Sequence, residues 1–351
     1  MATHAPPDES TMPARSGFAL GPAPVSGELP GQRDPGLPSA VGVVGLGLVG
    51  SALAGRLANQ GIAVIGFDLR PEARARLATD PRITVVNALA DLASRVSTAL
   101  LAVFDTDDVL QVLAADEGLL VAGSRIDAVI DCSTGDPARL AALAADLVDR
   151  GIDFIEAPLS GSSLQIAAGE ATMLLGGRHE AIARQQAMLD VLCLRRIHVG
   201  EAGFGARAKL ATNLVLGLNR AVLAEGMVFA QTLGIAPQVF LDLVLATPAR
   251  SAAAETKGAM MVSGRFDNPQ SRIHQHLKDV RLMLAQASAS GQSLPLSASH
   301  ATLMDAAVQA GDGDLDNAGL IRQWRRLAAP SPVQSASPAN RTGTQDPGSP
   351  T

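Results

Sequence analysis

The chain has 351 residues, enough for two domains, and 47% of them are apolar, so a large core is within reach. A net charge of −6, an aromatic content of 3% and the lack of any Tyr argue against a nucleic-acid-binding role. Two cysteines, Cys132 and Cys193, imply no disulfide framework and fit a reducing, cytoplasmic compartment. Residues 1–39 show no apolar stretch after a basic start, so no signal peptide is read there. They are rich in Pro, Gly, Ala and Ser without a period and read as a disordered extension, as does the tail over 328–351. The folded part is expected over 40–327.

Residues 41–45 form a β-branched run that stops at glycine. Gly45-Leu46-Gly47-Leu48-Val49-Gly50 follows, then a helical pattern over 51–60 and a second strand over 62–67 ending at Asp68. Strand, glycine turn, helix, strand and acidic residue, at this spacing, are the fingerprint of a dinucleotide site. Gly45 makes the tight turn, Gly47 lets a pyrophosphate approach the backbone, and Gly50 lets helix pack on strand. The free N–H groups and dipole of the helix start then face the phosphates. Asp68 suits the ribose 2′-OH and repels a 2′-phosphate, which favours NAD. Arg70, Arg74 and Arg76 keep NADP open.

Further strands are expected over 84–86, 98–104, 127–132 and 152–157, each of the first three followed by a helix. This alternation predicts an α/β, doubly wound parallel sheet whose ligands sit beyond the carboxyl ends of the strands. Phe104-Asp105, Ser133-Thr134 and the run 158–162 therefore converge on one crevice. Ser133 and Thr134 also read as helix N-caps.

From Gly203 to Gly234 the sequence reads as one helix of roughly 30 residues, apolar nearly all round and therefore buried. Lys209, Asn213, Asn219, Arg220 and Glu225 interrupt it, which argues against a membrane span. Lys209 and Asn213 stand one turn apart on one face. Five Ala- and Leu-rich segments follow, over 237–246, 249–262, about 271–290, 295–310 and 315–326, so 203–327 is expected to be all-helical.

Five blocks in this order resemble the 3-hydroxyacid dehydrogenase family, 3-hydroxyisobutyrate dehydrogenase and its relatives, over residues 41 to about 327. They are VVGLGLVG; Asp131-Cys-Ser-Thr-Gly-Asp-Pro137; Glu156-Ala-Pro-Leu-Ser-Gly-Ser162 with 167–177; Gly203-Phe-Gly-Ala-Arg-Ala-Lys209 with Asn213; and Lys278-Asp279. The resemblance implies a Rossmann-type NAD-binding domain over 40–202 joined by a long interdomain helix to an all-α domain over 203–327. It implies Lys209 as catalytic lysine and Asn213 as the substrate-orienting asparagine. It implies Ser160, Gly161 and Ser162 as the carboxylate loop, and Lys278, Thr134, Phe104 and Asp105 on the cofactor. It also implies a homodimer or homotetramer acting on a small hydroxy acid.

Several positions depart from the family pattern. Thr212 replaces the first of two asparagines, Ser162 a glycine, Asp105 a proline and Ser271 a phenylalanine, and Arg272-Ile-His274-Gln-His276 is unusually polar. These changes predict a substrate more polar or larger than hydroxyisobutyrate, such as a polyhydroxylated acid. The competing reading of the polar run is a helix start at the surface. His274 and His276 do not share a helix face, so no metal site is read there. An NADP-linked reductase of a semialdehyde or imine, and a non-catalytic dinucleotide-binding protein, remain as alternatives. Imine-reducing relatives usually lack the lysine.

Overall fold

Val41, Val43 and Val44 of strand β1 (Ala40–Val44) are buried, as suits an interior strand paired on both sides. The computed structural model describes residues 37–114 and 116–328. Apart from 37–39 and 328, the extension and tail expected from composition lie outside the described residues. After β1 come α1 (Leu48–Asn59), β2 (Ala63–Phe67), α2 (Pro71–Leu77), β3 (Ile83–Val85), α3 (Leu89–Ala93), β4 (Thr98–Leu101) and α4 (Thr106–Ala114). Then follow β5 (Ala128–Asp131), α5 (Pro137–Asp149) and β6 (Asp153–Glu156).

The strand order 3-2-1-4-5-6 is parallel throughout, as a Rossmann-type sheet requires. Alternate side chains feed two cores. Val41, Val43, Leu100 and Ile130 enter one, while Val44, Ala99, Leu101 and Val129 enter the other. Both faces are thus covered, as parallel sheets need.

Beyond β6 the sheet departs from the parallel expectation. β7 (Leu159–Ser160) and β6 both pair antiparallel with β8 (Thr172–Gly176), and β9 (Arg195–Gly200) pairs parallel with β8. Helices α6 (Ser163–Ala168), α7 (His179–Arg184) and α8 (Gln186–Leu192) pack around this extension.

Two glycines of the turn are dictated sterically. Gly45 has φ +87°, and a Cβ there would lie 2.4 Å from the Ala102 carbonyl oxygen. A Cβ on Gly50 would lie 1.7 Å from the carbonyl oxygen of Gly45, so α1 can seat on the turn only without a side chain. Gly50→Ala is expected to lose about 3 kcal/mol of stability and at least tenfold in cofactor affinity. Urea unfolding and fluorescence titration with the dinucleotide measure the two; an unchanged melt would remove the packing role.

Helix α9 (Phe204–Thr232) is 29 residues and about 43 Å long. Its start packs on α5, β7, β8 and β9. Its remainder packs on α10 (Pro237–Ala246), α11 (Ala252–Ser263), α12 (Ile273–Ala289), α13 (Pro295–Gln309), the 3-10 turn Asn317–Leu320 and α14 (Ile321–Ala328). A third core, around Met227, Met261, Ile273 and Ile321, binds these helices.

By length and a mean hydropathy of 1.2, α9 is long and apolar enough to cross a membrane. In the fold half of that apolar window is buried, and the buried face carries Lys209, Asn213 and Arg220. The expectation of burial all round is corrected on the other face. Among the described residues Val215, Val222 and Phe229 are exposed.

Candidate active site

The carboxyl ends of β1, β2, β4 and β5 open into a cavity of ≈ 1440 Å³, closed on the far side by α9 and the start of α12. Gly45, Gly47, Leu48 and Val49 line it, and the start of α1 has no side-chain cap. Leu46 and Gly50 lie behind the turn. Leu46 is fully buried, and its backbone N–H donates to Asp68 Oδ2 at 2.7 Å.

Asp68, at the end of β2, also accepts the Arg70 backbone N–H at 2.8 Å and the Arg70 Nε at 3.1 Å. Burial alone would raise its carboxyl, but these bonds outweigh burial and hold it below the usual range. Arg74 spends Nη1 on the Asp68 carbonyl at 2.6 Å, and Arg76 spends Nη2 on the Leu46 carbonyl at 2.8 Å. Arg70 and Arg74 still line the cavity.

Strand β4 ends at Leu101, three residues before the expected end. The Ala102 N–H still donates to the Val44 carbonyl of β1 at 2.8 Å, and Val103 and Phe104 then turn toward the cavity and leave the ladder. Phe104 is 42% exposed there. Asp105 does not share the cavity: its carboxylate accepts the Asp108 N–H at 3.0 Å at the start of α4. The N-cap of α5 is Asp136, not Ser133 or Thr134. Ser133 instead accepts the Val103 N–H through Oγ at 3.1 Å, tying two strand ends together.

Opposite these ends stands α9. Glu156, 1% exposed, accepts the backbone N–H groups of Gly203 at 2.5 Å and Ala206 at 3.2 Å, a carboxylate buried against the helix start. Burial raises that carboxyl to about 7 despite those bonds. Lys209, one turn on, is buried, and its Nζ donates to the Leu159 carbonyl at 2.5 Å. Burial pushes the ammonium down to about 8, against the pull of Asp279 and helped by Arg220 and Lys278.

Asn213 Nδ2 donates to Asp279 Oδ2 at 3.1 Å, and Asp279 Oδ1 meets Lys278 Nζ at 3.0 Å. Lys278 Nζ also donates to the carbonyls of Phe104 at 2.7 Å and Thr134 at 2.6 Å, and lies 5.3 Å from the Phe104 ring centre. One lysine thus clips the helical domain to two strand ends.

The loop after β7 divides its residues. Gly161 and Ser163 line the cavity. Ser160 pairs with Thr172 in the sheet. Ser162 caps α6: its hydroxyl accepts the Gln165 N–H, and its own N–H donates to Gln165 Oε1 at 2.8 Å. The expectation that all three residues face the crevice is corrected to Gly161 alone.

The sequence matches two family models. One is described as the NAD binding domain of 6-phosphogluconate dehydrogenase, over 40–200. The other is described as the NAD-binding domain of NADP-dependent 3-hydroxyisobutyrate dehydrogenase, over 203–324. The chain is 28% identical to 2-(hydroxymethyl)glutarate dehydrogenase of Eubacterium barkeri, over 83% of this chain and 96% of the relative. It is 28% identical to L-threonate dehydrogenase of Cupriavidus necator, over 84% and 99%. A solved 3-hydroxyisobutyrate dehydrogenase from Salmonella typhimurium superposes with a TM-score of 0.72 at 29% identity, covering 81% of this chain and 99% of that one. The chain belongs to the 3-hydroxyacid dehydrogenase family. It is an NAD(P)-dependent oxidoreductase of the class acting on CH–OH donors.

The polar run is no mere surface helix start. Gln270, Ser271, Arg272, His274 and His276 line the same cavity as the glycine turn. His274 and His276 diverge: the ring of His274 lies 6.0 Å from that of Phe104, and that of His276 lies 5.6 Å from that of His300. Leu216, Arg220 and Asn317 also line the cavity, beyond the residues expected from the sequence. For the first two the signal was present: 209, 213, 216 and 220 follow the i, i+4, i+7, i+11 rhythm of one helix face.

Proposed function

We propose that the protein oxidises the hydroxyl of a small 3-hydroxy acid with NAD, with Lys209 as general acid and base. The observation that carries this reading is Lys209 itself, a buried amine poised near 8 in the cavity that the glycine turn opens into. The residues present fit a dinucleotide. The uncapped start of α1 and Gly47 offer N–H groups for a pyrophosphate, and Asp68 offers a carboxylate for a ribose hydroxyl. When bound, the nicotinamide supplies the hydride acceptor.

The chain supplies the rest. Neutral Lys209 takes the hydroxyl proton in oxidation; in reduction its ammonium returns it and stabilises the forming alkoxide. Asn213, held by Asp279, orients that hydroxyl. The backbone at Gly161 and the Ser163 hydroxyl receive the substrate carboxylate, with Ser160 and Ser162 shaping the loop. Lys278 holds the carbonyls of Phe104 and Thr134 where the nicotinamide half would lie.

The polar wall over 270–276 supports a substrate more polar than 3-hydroxyisobutyrate, as the names of the threonate and 2-(hydroxymethyl)glutarate relatives also do. The uncovered stripe of Val215, Val222 and Phe229 supports a homodimer or homotetramer.

One observation favours NADP as a second reading. Asp68 is already neutralised by Arg70, and Arg74 stands beside it, which lessens repulsion of a 2′-phosphate. Assays of both cofactors with threonate-like and hydroxymethyl acids, following the absorbance of the reduced nicotinamide, decide. We expect kcat/KM for NAD to exceed that for NADP at least tenfold, and Asp68→Asn to erase that preference. NADP-only activity would overturn the role given to Asp68, and no turnover with any hydroxy acid would overturn the reaction.

A further inference from the structure

Lys209 and Arg220 are buried on the helical side of the cavity, Lys278 is half-buried there, and Lys257 is buried off its wall; two of these four basic side chains are neutralised by the protein. Lys257 Nζ meets both oxygens of Asp316 at 2.8 and 2.9 Å, and Lys278 meets Asp279 at 3.0 Å. Lys209 reaches only a carbonyl. Arg220 is 8% exposed and lines the cavity. Among the described residues its guanidinium has no hydrogen-bond or ion-pair partner. The carboxylates that sustain its charge, Asp316 and Asp279, are the ones already occupied by the two lysines.

Stripping water from a guanidinium without a partner costs several kcal/mol. An arginine kept in that state at a cavity wall is a receptor for an anion that arrives from outside. Its planar fork matches one carboxylate through two parallel bonds. A phosphate dianion would call for more donors than this single side chain offers.

Position on the helix fixes which part of a ligand Arg220 would meet. Lys209, Asn213, Leu216 and Arg220 are the α9 residues on the cavity wall. Arg220 is two turns beyond Asn213, about 10 Å along the axis, and helical side chains lean back toward the N-terminus. Gln270 and Asn317 line the cavity too, and the amide oxygen of Asn317 is buried without a partner. Building on the reaction proposed above, we propose that Arg220 binds a second carboxylate of the substrate, so that the enzyme selects hydroxy dicarboxylic acids over hydroxy monocarboxylic acids.

The test is calorimetric binding of glutarate and butyrate to the full chain saturated with NAD+, with kcat/KM for a hydroxymethyl diacid and monoacid alongside. Glutarate is expected to bind at least about 30-fold more tightly than butyrate, the worth of a charge-assisted pair. Arg220→Gln should bring that ratio within about threefold of unity, and Arg220→Lys should retain part of it, with thermal melts reporting the fold of each variant. Equal affinities in the native chain, or an Arg220→Gln variant that keeps the ratio while weakening both acids, would overturn the proposal. The two readings separate. Diacid binding through Arg220 with no turnover leaves the subsite and sinks the reaction. Turnover of monoacids without diacid preference does the reverse.

Discussion

Lys209→Ala is expected to lower kcat by about 10⁴-fold, the combined worth of general acid–base catalysis and alkoxide stabilisation. Dinucleotide affinity should stay within about threefold, since the glycine turn and Asp68 belong to other elements. Lys209→Arg should fare little better. A guanidinium keeps its proton at any working pH and so cannot act as base. Stopped-flow turnover and equilibrium titration with the cofactor check the two halves. Residual turnover within tenfold of the native chain would remove Lys209 from the chemistry.

The second large effect is on stability. Asp316 is fully buried and accepts from Lys257 Nζ, from the Gln270 N–H at 2.8 Å and from the Ala318 N–H at 2.9 Å. It thereby ties α11 to the segment that leads into α12 and its cavity-lining residues. Asp316→Ala leaves the Lys257 ammonium buried without its carboxylate, at a cost of about 3–5 kcal/mol. Against a total of about 5–15 kcal/mol that is a severe loss, and we expect the melting temperature to fall by roughly 10 °C. Replacing both partners, as in Lys257→Met with Asp316→Leu, should recover much of it, because no unpaired charge then remains. Differential scanning calorimetry of the single and double variants reads this directly. A single variant that melts with the native chain would show the pair to be idle.

What could be read without coordinates follows from how local each cause is. Gly45, Gly47, Gly50 and Asp68 are legible because the turn, the helix start and the next strand end lie within one βαβ unit. Lys209 and Asn213 are legible as a pair one turn apart. Extending the same rhythm reaches Leu216 and Arg220, but in sequence Arg220 looks like one more polar break in an apolar helix. Ser162 misled for a chemical reason. Ser-x-x-Gln is a capping box, and a hydroxyl satisfying a helix start has little left for a substrate. Asp105 misled likewise, since an aspartate ahead of a helix serves its backbone first. The reading of 98–104 as one strand failed because Val103 and Phe104 are apolar for the sake of the cavity wall, not the ladder.

Other features leave no local trace. Lys278 reaches carbonyls 174 and 144 positions away in the chain. Asp316 lies 59 positions from Lys257. Backbone oxygens carry no side-chain signature, so such bonds emerge only once the two domains are set against each other.

The central claim is that a buried amine, neutral in one direction of the reaction and charged in the other, moves the proton of a hydroxy acid. Its most direct test is the pH dependence of kcat for oxidation and for reduction in the same preparation. Lys209 sits near 8, so the oxidation rate should rise through that pH as the ammonium loses its proton, and the reduction rate should fall through it. Two limbs of opposite sign crossing near pH 8 are the predicted result; limbs of the same sign, or a midpoint below 6, would contradict it.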